Sequence, residues 1–208
     1  MYDAILFDLD GTLVDTESVA IETGLAAFAQ HGHEVSRAFL ESLVGTDDLT
    51  AEGLIRAALP GIDLAAVSVT HAAAYDRRMD AGLAVKPGVV ELLAATPLTA
   101  AVVTSSGRVS AHRKLALAGI SARFDHVVTR EDVAAPKPAP EPYLLAARLP
   151  GVPPGRCLVF EDSEPGAEAA HRAGCVVVQV PDVVPSQGRF AHHLASDLLL
   201  GARMAGLL

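Results

Sequence analysis

The sequence has no tryptophan, three tyrosines, six phenylalanines and only two cysteines among its 208 residues. So few cysteines exclude a disulfide scaffold and a cysteine-built metal clamp. Cys157 and Cys175 both sit in apolar runs (RCLVF and GCVVV), where small buried hydrophobes are expected, and this usage points to a reducing cytoplasm. No apolar run approaches the roughly 20 residues that a membrane span requires. The chain opens Met-Tyr-Asp and then an apolar strand, without the basic and apolar regions of a signal peptide. Dense Lys/Arg runs are absent too. With 16 basic against 25 acidic residues the formal charge is −9, which repels a phosphate backbone, so neither nucleic acid nor a membrane is expected as a partner. What is present is a globular mixture, 50% apolar and 20% charged, long enough for one domain with an appendage. With aromatics scarce, Leu, Val and Ala must fill the core.

Five short apolar segments read as strands: Ala4 to Phe7, Thr99 to Val103, His126 to Thr129, Cys157 to Phe160 and Val176 to Val180. They are rich in Val with little alternation, as parallel strands buried on both faces should be. Helical patterns lie between them, over Pro87 to Ala95, Val109 to Ala118, Pro142 to Leu149 and Pro165 to Ala173, the last stopped by Gly174. This alternation predicts an α/β fold with a doubly wound, parallel, Rossmann-like sheet. From Asp15 to about Ala84 the rhythm breaks. Helices are expected there over Glu17 to Gln30, Ser36 to Val44, Leu49 to Leu59 and Leu64 to Asp80. The predicted organisation is a core of residues 1–15 and 85–208 with a helical bundle, 16–84, inserted in it.

Ligands of open parallel sheets bind beyond the carboxyl ends of the strands, where strand order reverses. Polar residues follow almost every predicted strand: Asp8-Leu9-Asp10-Gly11-Thr12 after the first, Thr104-Ser105-Ser106 after the second, Pro136-Lys137-Pro138 before the fourth, and Glu161-Asp162-Ser163 after it. Asp8, Asp10, Glu161 and Asp162 would crowd up to four carboxylates into one crevice. Such crowding repels unless a cation neutralises it, and a hard divalent ion with oxygen ligands, Mg²⁺, fits best. Lys137 adds a fixed positive charge, and Thr104 and Ser105 offer donors to anionic oxygens. Carboxylate, metal, lysine and hydroxyls together suit phosphoryl transfer. Asp8 and Asp10 are two apart, which on an extended strand points them the same way. Asp8 is assigned as the nucleophile, and Asp10 as the group that protonates the leaving alcohol and later deprotonates water, with Thr12 orienting it.

These segments resemble the four motifs of the haloacid dehalogenase superfamily. Asp8 to Asp15 is similar to the first motif, Thr104 to the second, and Lys137 in Lys-Pro-Ala-Pro-Glu-Pro-Tyr to the third. Phe160-Glu161-Asp162-Ser163 with Gly166, Ala169-Ala170 and Ala173-Gly174 is similar to the fourth. The resemblance implies that Asp8, the backbone carbonyl of Asp10, and Asp162 hold Mg²⁺, with Glu161 as a close or water-mediated partner. It also implies that the inserted helices form a cap that opens and closes over the crevice. One departure is Pro136, where these enzymes commonly have glycine before the lysine.

A second aspartate in the first motif resembles the phosphatases and phosphomutases and sets the dehalogenases aside, because a halide leaves without a proton. A mutase of the β-phosphoglucomutase kind has a cap histidine where this chain has Ala20, and its cap-loop arginine is replaced here by acids. The loop residues Gly45, Thr46 and Asp47 are expected to contact a substrate with one phosphate and a hydroxylated body. The expectation is a Mg²⁺-dependent phosphatase of a small phosphorylated metabolite, a sugar or polyol phosphate, working through an aspartyl-phosphate. The alternatives are a phosphomutase and a non-catalytic Mg²⁺- and anion-binding module. Asp15, His31, His33, His192 and His193 read as structural or surface residues. A monomer or weak homodimer is expected, and the apolar Leu198 to Leu208 segment is free to pack on the body or on a partner.

Overall fold

The computed structural model describes residues 1–44 and 48–208. The chain divides into two compact units, Met1–Asp15 with Ala84–Leu208, and Thr16–Leu83. The second unit is helical: α1 (Thr16–Gln30), α2 (Arg37–Glu41), α3 (Asp48–Ala58) and α4 (Leu64–Asp80), with α1 packed along α4 and α2. Ser36 and Asp63 cap α2 and α4 by accepting the free amides of Phe39 and Ala66. Val19, Ile21, Ala27 and Phe28 of α1 and Val67 and Met79 of α4 are among its buried side chains.

The first unit is built on a six-stranded sheet in the order β3-β2-β1-β4-β5-β6, with every pairing parallel. The strands are β1 (Ala4–Phe7), β2 (Thr99–Val103), β3 (His126–Val128), β4 (Cys157–Glu161), β5 (Val176–Gln179) and β6 (His193–Leu194). The helices are α5 (Val89–Ala95), α6 (Arg108–Leu117), α7 (Glu141–Arg148), α8 (Glu164–Arg172) and α9 (Leu198–Met204). Both faces of the central strands are covered. Ala4, Leu6, Ala101, Val103, Val159 and Val177 pack against Tyr143, Ala146 and Ala147 of α7 and Ala167 and Ala170 of α8. On the opposite face Phe7 stacks on Phe160 at 5.3 Å, and Gly201 lets α9 approach so closely that a Cβ there would lie 2.3 Å from Val178 Cγ1.

The sixth strand and the last helix go beyond the sequence expectations. β6 has two residues, too few for any periodicity, and a neighbouring tie is the His192 ring, whose Nδ1 accepts the Val177 amide at 3.1 Å. The apolar C-terminal segment packs on the body: α9 lies against α5, β5 and β6. Cys157 and Cys175 are buried and free of any disulfide, and their mutual hydrogen bond pushes the Cys175 thiol up. No helix of the described residues is long and apolar enough to cross a membrane.

Strand order reverses at β1, whose neighbours are β2 and β4. The peptides that follow these strands therefore flank one crevice at the carboxyl edge of the sheet.

Candidate active site

β1 ends at Phe7, and only the Asp8 amide continues the pairing, donating to the Phe160 carbonyl at 3.0 Å. Beyond it the chain turns: the amides of Leu13 and Val14 donate to the Leu9 carbonyl at 2.9 and 3.1 Å, and Gly11 donates to Val14 at 2.9 Å. Asp8 and Asp10 therefore share no strand: β1 ends at Phe7, and Asp10 lies beyond it in an isolated bridge to Val14 across the turn. The two carboxylates enter different ion pairs. Gly11 has φ +84°, and a Cβ there would lie 2.4 Å from Asp162 Oδ2, so the turn needs glycine twice over.

Lys137 and Glu161 organise the centre. The Lys137 ammonium donates to Asp8 Oδ1 and Glu161 Oε1, both at 2.6 Å, and to the Val103 carbonyl at 2.8 Å. Its three donors are thus satisfied by three strands' ends. The Lys137 side chain is 6% exposed, and the Tyr143 ring lies 5.1 Å below its nitrogen. Burial disfavours the ammonium, but Asp8 and Glu161 outweigh it and hold Lys137 above its ordinary value. Glu161 is fully buried. Its Oε1 also accepts the Tyr143 hydroxyl at 2.7 Å, and its Oε2 accepts the Ser163 amide at 3.2 Å and hydroxyl at 3.1 Å. Burial keeps the Tyr143 phenol well above its ordinary value, which suits a permanent donor.

Asp8, Glu161 and Asp162 each bring one oxygen within 4.8 Å of the others. Among the described residues this is the group of three or more that fits a metal ion, and an all-carboxylate, buried set suits a hard divalent cation. Burial pushes the Asp8 carboxyl up to about 8, with Lys137 pulling it down and Glu161 and Asp10 pushing it further up. A cation there would supply the missing positive charge. Glu161, already accepting from a lysine, a tyrosine and a serine, serves first to fix Lys137 and the turn into α8. Thr12 Oγ1 donates to Asp162 Oδ1 at 3.5 Å, which ties the first motif to the fourth. Gln179, fully buried on β5, donates to the Asp162 carbonyl at 3.2 Å. A cavity of about 220 Å³ adjoins this corner, lined by Gly11, Thr12, Lys86, Asp182 and Ser196 among others.

Thr104 is 4% exposed and its Oγ1 accepts the Ser106 amide at 3.0 Å, leaving the hydroxyl hydrogen available to donate. Ser105 is exposed. It is Ser106 that turns inward, donating to Asp10 Oδ2 at 2.8 Å. Asp10 also pairs with Lys114, whose nitrogen lies 2.7 and 2.8 Å from its two oxygens. Sequence reasoning missed Lys114, Tyr143 and Gln179 as parts of the site, and placed Ser106 in the crevice only as one of the polar residues after the second strand. A lysine in a short charged helix reads as solvated, and only its spacing from Asp10 in the fold reveals it. Gly45, Thr46 and Asp47 lie outside the described residues.

Residues 5–180 match the family described as haloacid dehalogenase-like hydrolase. Validoxylamine A 7'-phosphate phosphatase from Streptomyces hygroscopicus subsp. limoneus is 36% identical, over 86% of this chain and 85% of its own. Hexitol phosphatase A from Escherichia coli (strain K12) is 33% identical, over 84% of this chain and 81% of its own. A solved HAD family hydrolase from Deinococcus radiodurans R1, with bound phosphate and sodium, superposes with a TM-score of 0.83 at 27% identity, covering 100% of this chain and 97% of the other. The four motifs, the parallel sheet that gathers them and these relatives agree: the chain belongs to the haloacid dehalogenase-like hydrolases.

Proposed function

We propose that this hydrolase is a phosphatase that cleaves a small phosphomonoester, a sugar or polyol phosphate, through an aspartyl-phosphate on Asp8. The observation that carries the reading is Lys137 bridging Asp8 and Glu161 at 2.6 Å each, beside Asp162, at the point where strand order reverses. An Asp8 oxygen attacks phosphorus, the ester P–O bond breaks toward the alcohol oxygen, and Asp10 gives that oxygen its proton. Water then attacks phosphorus, Asp10 takes the water's proton, and the bond to Asp8 breaks to release phosphate, restoring the Asp8 carboxylate and the Asp10 acid. Lys137 and the Thr104 hydroxyl hold the transferring oxygens. Mg²⁺ held by Asp8, Asp162 and the backbone carbonyl of Asp10, with Glu161 at its edge, would neutralise the charge that otherwise excludes a phosphate.

Two relatives are named validoxylamine A 7'-phosphate phosphatase and hexitol phosphatase A, and an alkoxide leaving group is the kind that needs a second aspartate. The test is phosphate release from a panel of sugar, polyol and glycolate monophosphates with Mg²⁺. Turnover of one or a few sugar or polyol esters, lost in Asp8→Asn and Asp10→Asn, is the expected result. No phosphate release from any ester would end the phosphatase reading, and isomerised sugar phosphate in its place would turn it into a mutase.

A further inference from the structure

Lys114 has no part in that chemistry, yet it is the second buried lysine of the unit, 9% exposed on α6. Lysines are almost never this buried without a partner that repays the lost hydration. Its partner is specific: Nζ reaches both oxygens of Asp10, at 2.7 and 2.8 Å, and Ser106 Oγ at 2.8 Å. Ser106 in turn donates to Asp10 Oδ2 at 2.8 Å, and its amide is tied to Thr104 Oγ1 at 3.0 Å. Lysine, serine and aspartate thus close a triangle of hydrogen bonds that fixes the plane of the Asp10 carboxylate. The Asp10 side chain still exposes 30% of its surface, and each carboxylate oxygen has two acceptor sites. The clamp therefore fixes the group without covering it.

We propose that Lys114, together with Ser106, is a positioning residue for Asp10 and aligns its carboxyl with the leaving oxygen of the substrate. This rests on the phosphatase reading above, in which Asp10 gives its proton to the departing alcohol. While Asp10 carries that proton, one oxygen still accepts from Lys114 and the other presents O–H to the ester oxygen. As the P–O bond breaks, its electron pair goes to that oxygen, the proton follows, and the carboxylate left behind relaxes into the arrangement seen here. A loose Asp10 would lose this alignment, and misplaced acids lose rate steeply.

The consequence is selective. An alkyl ester needs the proton because an alkoxide leaves poorly, whereas p-nitrophenolate leaves without one. The experiment measures kcat/KM, which covers the steps through alcohol release, on a polyol monophosphate and on p-nitrophenyl phosphate. The proteins are wild type, Asp10→Asn, Lys114→Met, Ser106→Ala and the Asp10→Asn/Lys114→Met double variant. Lys114→Met is expected to lose about 10- to 100-fold on the polyol ester and about threefold or less on the aryl ester, a part of the full effect of a general acid. Ser106→Ala should show a smaller loss with the same bias, and it carries the test if Lys114→Met does not fold. The double variant should be no slower than Asp10→Asn, because both changes act through one group. Equal losses on the two esters, or additive losses in the double variant, would overturn the clamp while leaving the phosphatase standing. Wild type that hydrolyses neither ester would bring down the phosphatase reading, and the clamp with it.

Discussion

Replacing Lys137 by methionine keeps the length of the side chain and removes the charge that joins Asp8 to Glu161. Because Lys137 Nζ is 2.6 Å from an oxygen of each, no more than about 5 Å separates those two oxygens, and their side chains are 11% and 0% exposed. At an effective dielectric of about 20, two such charges repel by about 3 kcal/mol. Removing one partner of a buried pair costs about 3–5 kcal/mol by a different route, uncompensated desolvation. At this chain length that is a fall in melting temperature of about 6–20 °C.

The pH dependence has a definite sign. With the Asp8 carboxyl at about 8 in the metal-free protein, Asp8 is mostly protonated at pH 6, and the variant loses chiefly the Glu161 pair. At pH 9 Asp8 is ionised, Lys137 keeps its charge because its own value is raised, and wild type has a second pair that the variant lacks. The deficit therefore grows from pH 6 to pH 9. Urea unfolding of both proteins in excess chelator at the two pH values measures it. A deficit below about 1 kcal/mol at both, well short of a broken buried pair, or one that shrinks as pH rises, would refute the reasoning.

Gly166→Ala should act on the same centre, because a Cβ there would meet the Glu161 carboxylate at 1.8 Å. We expect at least about 1–3 kcal/mol of destabilisation, the range for overpacking, and loss of hydrolysis, with Gly155→Ala unaffected in both assays since its nearest contact is 3.8 Å. Mg²⁺ binding should release a proton from Asp8 near pH 7 and almost none at pH 9.5, because the raised carboxyl is protonated only below about 8. Calorimetric titration in two buffers of different ionisation heat reads this directly, and equal heats in both buffers at pH 7 would contradict it.

The sheet was legible because strands buried on both faces leave unbroken Val- and Ala-rich runs, and five of them were placed to within a residue at each end. Asp8, Lys137, Glu161 and Asp162 were legible for a different reason: each follows a strand, or sits in a loop whose residues suit anion chemistry, and topology alone gathers them. Lys114 was not, since nothing in the sequence tells a clamping lysine from a solvated one until β1 and α6 are brought together. The facing of Asp8 and Asp10, by contrast, was read from a pleat that does not reach Asp10, since β1 ends at Phe7. Gly11 at φ +84° turns the chain just after Asp10, and a two-residue spacing carries no facing information once the strand has ended. β6 escaped because two residues hold no period.

The central claim is that the phosphoryl group passes through Asp8, and a rapid-quench experiment with phosphate-labelled substrate tests it most directly. After acid quench and proteolysis, the account predicts label on the peptide that contains Asp8 in wild type, and none in Asp8→Asn. Phosphate release by wild type with label never found on that peptide, or undiminished turnover by Asp8→Asn, would contradict it.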